Sequence, residues 1–102
     1  MTSERWFELS IFEQMSNIAG EVKRFIDARD NYEKGETSKD YSDFYYEKAI
    51  SLIDLTASDP KNSRRLPEFE DDKDELRQLK ERMVRPEYIM DYWDQYTMAL
   101  TM

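Results

Sequence analysis

The chain has 102 residues (12.4 kDa), with 15 Lys and Arg against 23 Asp and Glu, a net charge of −8, and neither cysteine nor histidine. That composition excludes disulfides, cysteine nucleophiles, every Cys/His zinc site and the commonest general base, and the negative field works against nucleic-acid phosphates and anionic membranes. Two glycines, three prolines and 37% charged residues predict long helices in one domain over residues 1–102, and 14% aromatic content supplies a core despite a mean hydropathy of −0.93.

The segment from Met1 to Trp6 carries charges where a secretory signal needs an apolar run, and no uncharged stretch exceeds the eight residues Gln95 to Met102. Neither a signal peptide nor a membrane span is expected, and the reading is a cytoplasmic chain. Ser10 and Glu13 form a capping-box pattern, which predicts a first helix over about residues 10–32. Ile11, Met15, Ile18, Val22, Phe25 and Arg29 recur at intervals of three and four, flanked by Phe12, Ala19 and Ile26. Gly35 gives the chain freedom to reverse after Asn31 and Tyr32. Gly20 within the helix marks either the close approach of a neighbour or plain tolerance.

Thr37 or Ser38 can cap a second helix over 38–57, with Asp40 at its positive end and Tyr41, Phe44, Tyr45, Ala49, Leu52, Ile53 and Thr56 as its stripe. Asp59-Pro60 ends that helix, and Asp59 can cap a short turn that begins at the proline. A third helix over 67–84 starts at Pro67 and carries Phe69, Leu76, Leu79 and Met83. Asp72 and Lys73 fall near its seam, which predicts that its first turns project beyond the core. Arg85-Pro86 breaks the chain, and a last helix over 87–100 bears Tyr88, Ile89, Tyr92, Trp93, Tyr96, Ala99 and Leu100. Short connections favour an all-α, antiparallel four-helix bundle.

Candidate chemistry is sparse. Residues 68–75 hold six acids and one base, attractive to a hard cation, yet they lack the alternating ligands and turning glycine of a calcium loop. Acids in the first turns of a helix, with Arg77, Lys80, Arg82 and Arg85 toward its other end, also serve the helix dipole. Without histidine a ferritin-like di-iron site has no ligand set, and no nucleophile pair or phosphate-binding glycine loop is present. No cofactor, metal or enzymatic activity is expected. Arg64 and Arg65 suit either an anion contact or a loop that anchors itself on neighbouring acids. Tyr41, Tyr45, Tyr46, Tyr88, Tyr92, Trp93 and Tyr96 are candidate partner contacts; the same residues also fit a wide core rimmed by tyrosine hydroxyls. Phe44, Tyr45 and Tyr46 span about 200° of one helix, so at least one of them belongs at the surface.

Trp6 to Ser10, Asn17 to Val22, Ala49 to Thr56 and Asp59 to Asn62 resemble a group of small all-helical bacterial proteins that has no established activity, a likeness covering roughly the first two thirds of the chain. The pattern is also loosely similar to HEPN-type bundles and to the helical partners of minimal nucleotidyltransferases. HEPN ribonucleases use an arginine–histidine motif that this chain lacks, so that resemblance implies a non-catalytic, partner-binding protein. The expectation is a protein-binding or accessory module, most simply a homodimer, acting through an aromatic-rich helical face. The alternative is a HEPN-like or nucleotidyltransferase-associated partner in which Arg64 and Arg65, with Lys80 and Arg82, approach an RNA or nucleotide phosphate. Nucleic acid is disfavoured by charge, and no membrane contact is expected.

Overall fold

The structure, a computed structural model, describes residues 2–101, with side chains described for residues 2–98. Its helices are α1 (Ser3–Glu8), α2 (Ile11–Glu33), α3 (Ser42–Ala57), α4 (Leu66–Lys80) and α5 (Pro86–Thr101), with a 3-10 segment (Pro60–Arg65) before α4. No strand occurs among the described residues, so the chain is all-α.

The element ends follow from local chemistry. Ser10 accepts from the Glu13 amide while the Glu13 carboxylate accepts from the Ser10 amide, so the capping box starts α2. Gly35, at φ 75°, ends it in a Schellman motif: the Glu36 amide donates to the Asn31 carbonyl and the Gly35 amide to Tyr32. Asp59 caps the 3-10 segment by accepting from the Lys61 amide.

Three expectations are corrected. The chain before Ser10 is helical: Thr2 caps the six-residue α1, which was not anticipated. The second long helix starts at 42 rather than 38, because neither Thr37 nor Ser38 caps it; instead Asp40 accepts from the Ser42 amide. The helix expected to run to 84 ends at Lys80 in a second Schellman motif, with Arg82 at φ 62° in the glycine position and the Met83 amide donating to the Gln78 carbonyl.

Helix α2, about 35 Å long at roughly 1.5 Å per residue, defines the long dimension of a 42 × 27 × 26 Å particle. It packs on α3 and α5; α3 also meets α4 and the 3-10 segment, α4 meets α5, and α1 rests on α3. One core results, formed by Met15, Ile18, Val22 and Phe25 of α2, Ala49 and Ile53 of α3, Phe69, Leu76 and Leu79 of α4, and Ile89 and Trp93 of α5. The side chains of Ala99 and Leu100, expected on the α5 stripe, lie outside the described residues. Arg29, placed on the α2 stripe by its spacing, is buried as well. Its guanidinium lies over the Phe25 ring, 4.9 Å from the centroid, and donates to the Leu79 carbonyl at 2.9 Å, satisfying a C-terminal carbonyl of α4.

The short α1 is held by its neighbours. Trp6 is fully buried; its indole NH donates to Thr56 Oγ1 at 2.9 Å, and its carbonyl accepts from the Gln14 side chain at 3.0 Å. Gln14 also donates to Asp59 and accepts from Asn62, which in turn donates to the Thr56 carbonyl. Lys61 pairs with Asp59 and donates to the Phe7 carbonyl. Burial pushes Asp59 up, but hydrogen bonds from Lys61 and Gln14 outweigh it and hold the carboxyl below its ordinary value. A six-residue helix is unstable alone, so this buried polar lattice and the Trp6 ring are what order it.

Candidate functional site

The buried line of α3 runs through Ser42, Ala49, Ile53 and Thr56. At 100° per residue Phe44 falls about 200° round from Ser42, on the opposite side. Phe44 and Tyr41, expected on the apolar stripe of this helix, therefore lie outside it: Phe44 is 63% exposed, its ring edge-on to Tyr45 at 5.3 Å, and Tyr41 is 51% exposed. Tyr41 and Tyr45 line a 260 Å³ groove with Arg24, Asp27, Ala28, Asn31 and Thr37. Tyr46 turns the other way: it packs on Phe25 at 5.8 Å and carries the Lys80 ammonium 4.3 Å above its ring.

On α5 the candidate aromatics divide differently. Tyr88 is 75% exposed beside a 550 Å³ groove lined by Glu75, Gln78, Val84, Arg85 and Ile89. Trp93 and Tyr96 are buried and Tyr92 is half-buried, each of the three rings within 6.4 Å of the other two. The seven aromatics named from sequence therefore do not share one face.

A polar cluster missing from the sequence reading joins α4 to α5. Arg65 forks Glu68, donating from Nε to Oε2 at 2.9 Å and from Nη2 to Oε1 at 2.8 Å. Arg65 also donates to Tyr96 Oη at 3.1 Å, and both Tyr96 and Tyr92 donate to Glu68 Oε1 at 2.9 Å. Asp72 Oδ2 lies 3.2 Å from Tyr92 Oη. The Arg65 bonds hold the Glu68 carboxyl below its ordinary range, whereas burial pushes Asp72 up to about 7. Burial raises both phenols above theirs, so Tyr92 and Tyr96 are donors at any ordinary pH.

This cluster corrects the expectation for the acidic run. Phe69 and Asp72 are buried, so the first turns of α4 do not project beyond the core. The remaining acids disperse: Glu70 pairs with Lys73, Asp74 with Arg77, and Lys73 also reaches Asp54 at 2.9 Å. Among the described residues no group of three or more acids is placed to hold a metal ion.

The basic candidates are not brought together. Arg64 is exposed and Arg65 is engaged by Glu68 at the start of α4. Lys80 and Arg82, at its far end about 22 Å away by helical rise, pair with Asp43 and Glu33. No helix among the described residues is long and apolar enough to cross a membrane. Compared with known proteins, the chain matches no family model, no curated protein and no solved structure.

Proposed function

We propose that the chain is a non-enzymatic protein-binding module that pairs with a second copy of itself through Tyr41, Phe44 and Tyr45 at the start of α3. The observation that carries this reading is Phe44: a phenylalanine 63% open to solvent, next to two tyrosines that line a neighbouring groove. Aromatic residues concentrate in the well-packed centres of protein interfaces, where their area is worth most. Self-association is favoured over a foreign partner by Arg24 and Asp27, which line that groove about one helical turn apart, although Arg24 Nη1 also pairs with Glu21 at 2.9 Å within its own chain. In a two-fold contact such a pair meets its own complement, each arginine facing the other copy's aspartate.

The reading takes the four long helices as an antiparallel bundle in the cytoplasm, with α1 and the 3-10 segment as additions. A charge of −8 on each copy opposes association at long range, so added salt should strengthen the dimer by screening. Phosphate contact through Arg64 and Arg65 is disfavoured, because Glu68 already occupies the Arg65 fork. The test is solution mass with and without Phe44→Asp. A dimer that the substitution converts to a folded monomer supports the reading; a dimer indifferent to it refutes the assigned face.

A further inference from the structure

The cluster between α4 and α5 is short of one proton if both its acids are ionised. Arg65 engages both oxygens of Glu68, which fixes Glu68 as the carboxylate, and Tyr96 gives its single hydroxyl proton to Glu68 Oε1. Tyr92 also has one proton, but three oxygens surround its Oη: Glu68 Oε1 at 2.9 Å, Asp72 Oδ2 at 3.2 Å and Tyr96 Oη at 3.4 Å. If Tyr92 donates to Glu68, its lone pair faces Asp72. If it donates to Asp72, its lone pair faces Glu68 at 2.9 Å. Either arrangement leaves two acceptors in contact unless a further proton is present.

We propose that Asp72 is a carboxylic acid in the folded chain, donating to Tyr92, and that this proton makes the α4–α5 seam a pH-sensitive latch. Asp72 is 3% exposed and sits on α4 among Glu68, Asp71 and Glu75, all of which oppose its ionisation. From α5 it is faced by Tyr92, with Tyr96 next in line. The 3-10 segment contributes Arg65, which contacts Glu68 and Tyr96. On α3 the acids reaching α4 are Asp54 and Asp43, engaged by Lys73 and Lys80. With Asp72 ionised, Glu68, Asp72 and Arg65 leave a net charge of −1 on a half-buried seam whose Asp72 end is closed to solvent; with Asp72 protonated the cluster is neutral.

Burial raises Asp72 to about 7 in the fold, above the ~3.9 of an unfolded chain. The folded state keeps a proton that the unfolded state releases. The stabilisation is therefore complete below about pH 4, and it is lost as pH rises toward 7, the unfolding constant growing up to about tenfold per pH unit. Glu75 is also raised, by burial and by Asp71, and acts in the same direction, so the comparison must isolate Asp72.

The decisive experiment is a carboxyl-carbon NMR titration of the wild-type chain together with denaturant unfolding of wild type and Asp72→Asn from pH 5 to pH 8. The asparagine amide can donate to Tyr92 but cannot ionise. The expected results are an Asp72 midpoint near 7 and a ratio of wild-type to variant unfolding constants that climbs on the order of 100-fold across the range. An Asp72 midpoint below 5, or two parallel stability profiles, overturns the proposal. Should the variant fail to fold, the wild-type titration alone decides.

Discussion

Replacing Trp6 with alanine tests how the amino-terminal helix is held. Trp6 is fully buried and belongs to a six-residue helix that has no other buried residue. Truncating a fully buried aromatic to alanine costs about 3–5 kcal/mol, a large share of the roughly 5–15 kcal/mol that stabilises an ordinary domain. The loss has three parts: the ring leaves a cavity, the indole bond to Thr56 disappears, and the Trp6 carbonyl no longer stays in place for Gln14. Thr56 suffers little from losing that bond, because its hydroxyl still donates to the Leu52 carbonyl at 2.7 Å. Trp6→Phe keeps a ring in the core while deleting the donor and part of the buried volume, at an intermediate cost of about 1–3 kcal/mol. Urea unfolding followed by far-UV circular dichroism measures both, and limited proteolysis of the native variants reports release of α1. Trp6→Ala should lower Tm by on the order of 15–30 °C and open residues 1–10 to protease. A loss below about 1 kcal/mol, with α1 still protected, would refute the claim that Trp6 anchors it.

Gly20→Ala should raise stability by about 0.5–1 kcal/mol, because a Cβ there meets only the flexible end of Arg24 at 3.4 Å; a drop in Tm would reveal a helix contact that the structure does not contain. Arg82 occupies the left-handed region at φ 62°, so the β-branched Arg82→Ile should cost about 1–2 kcal/mol, while Arg82→Gly should cost nothing. Equal losses in chemical denaturation would assign the effect to the ion pair with Glu33 instead. Millimolar calcium or magnesium should leave Tm unmoved, because Glu68, Glu70 and Asp74 pair with Arg65, Lys73 and Arg77, Asp72 is buried, and no group of three acids among the described residues is placed to hold a metal ion. A metal-dependent rise reversed by chelator would contradict that distribution.

Local signals were legible wherever one residue type dictates one geometry. The Ser10 and Glu13 pair announced α2, and Asp59 before Pro60 announced the 3-10 turn. The contrast between Gly35 and Arg82 shows the limit: both end a helix in the same motif, but only glycine advertises the left-handed position in its identity. Asp72 was visible at the α4 seam, yet a charged residue there reads as a solvated turn until Tyr92 is known to face it from twenty residues away. The helix before Ser10 was hidden for a related reason. Its ordering comes from Gln14 in the next helix and from Thr56 and Lys61, which are 50 or more residues from the groups they hold, and six residues carry no periodic stripe of their own.

The aromatic residues divide along the same boundary. Helical geometry alone put one of Phe44, Tyr45 and Tyr46 at the surface, but which one depends on the face that is buried: three- and four-residue spacing also fits a stripe through Phe44, whereas the buried line runs through Ser42, Ala49, Ile53 and Thr56 and leaves Phe44 outside. Tyr96 is held inward by Glu68 of α4 and Arg65 of the 3-10 segment, partners that no local pattern identifies, and Trp93 is buried in the core beside it.

Light scattering coupled to size exclusion, on the wild-type chain and Phe44→Asp at two concentrations and two salt strengths, tests the proposed self-pairing most directly. The account predicts a mass near twice 12.4 kDa for the wild type, more completely dimeric at the higher salt, and a folded 12.4 kDa monomer for the variant. A wild-type monomer under all four conditions, or a dimer untouched by the substitution, would contradict it.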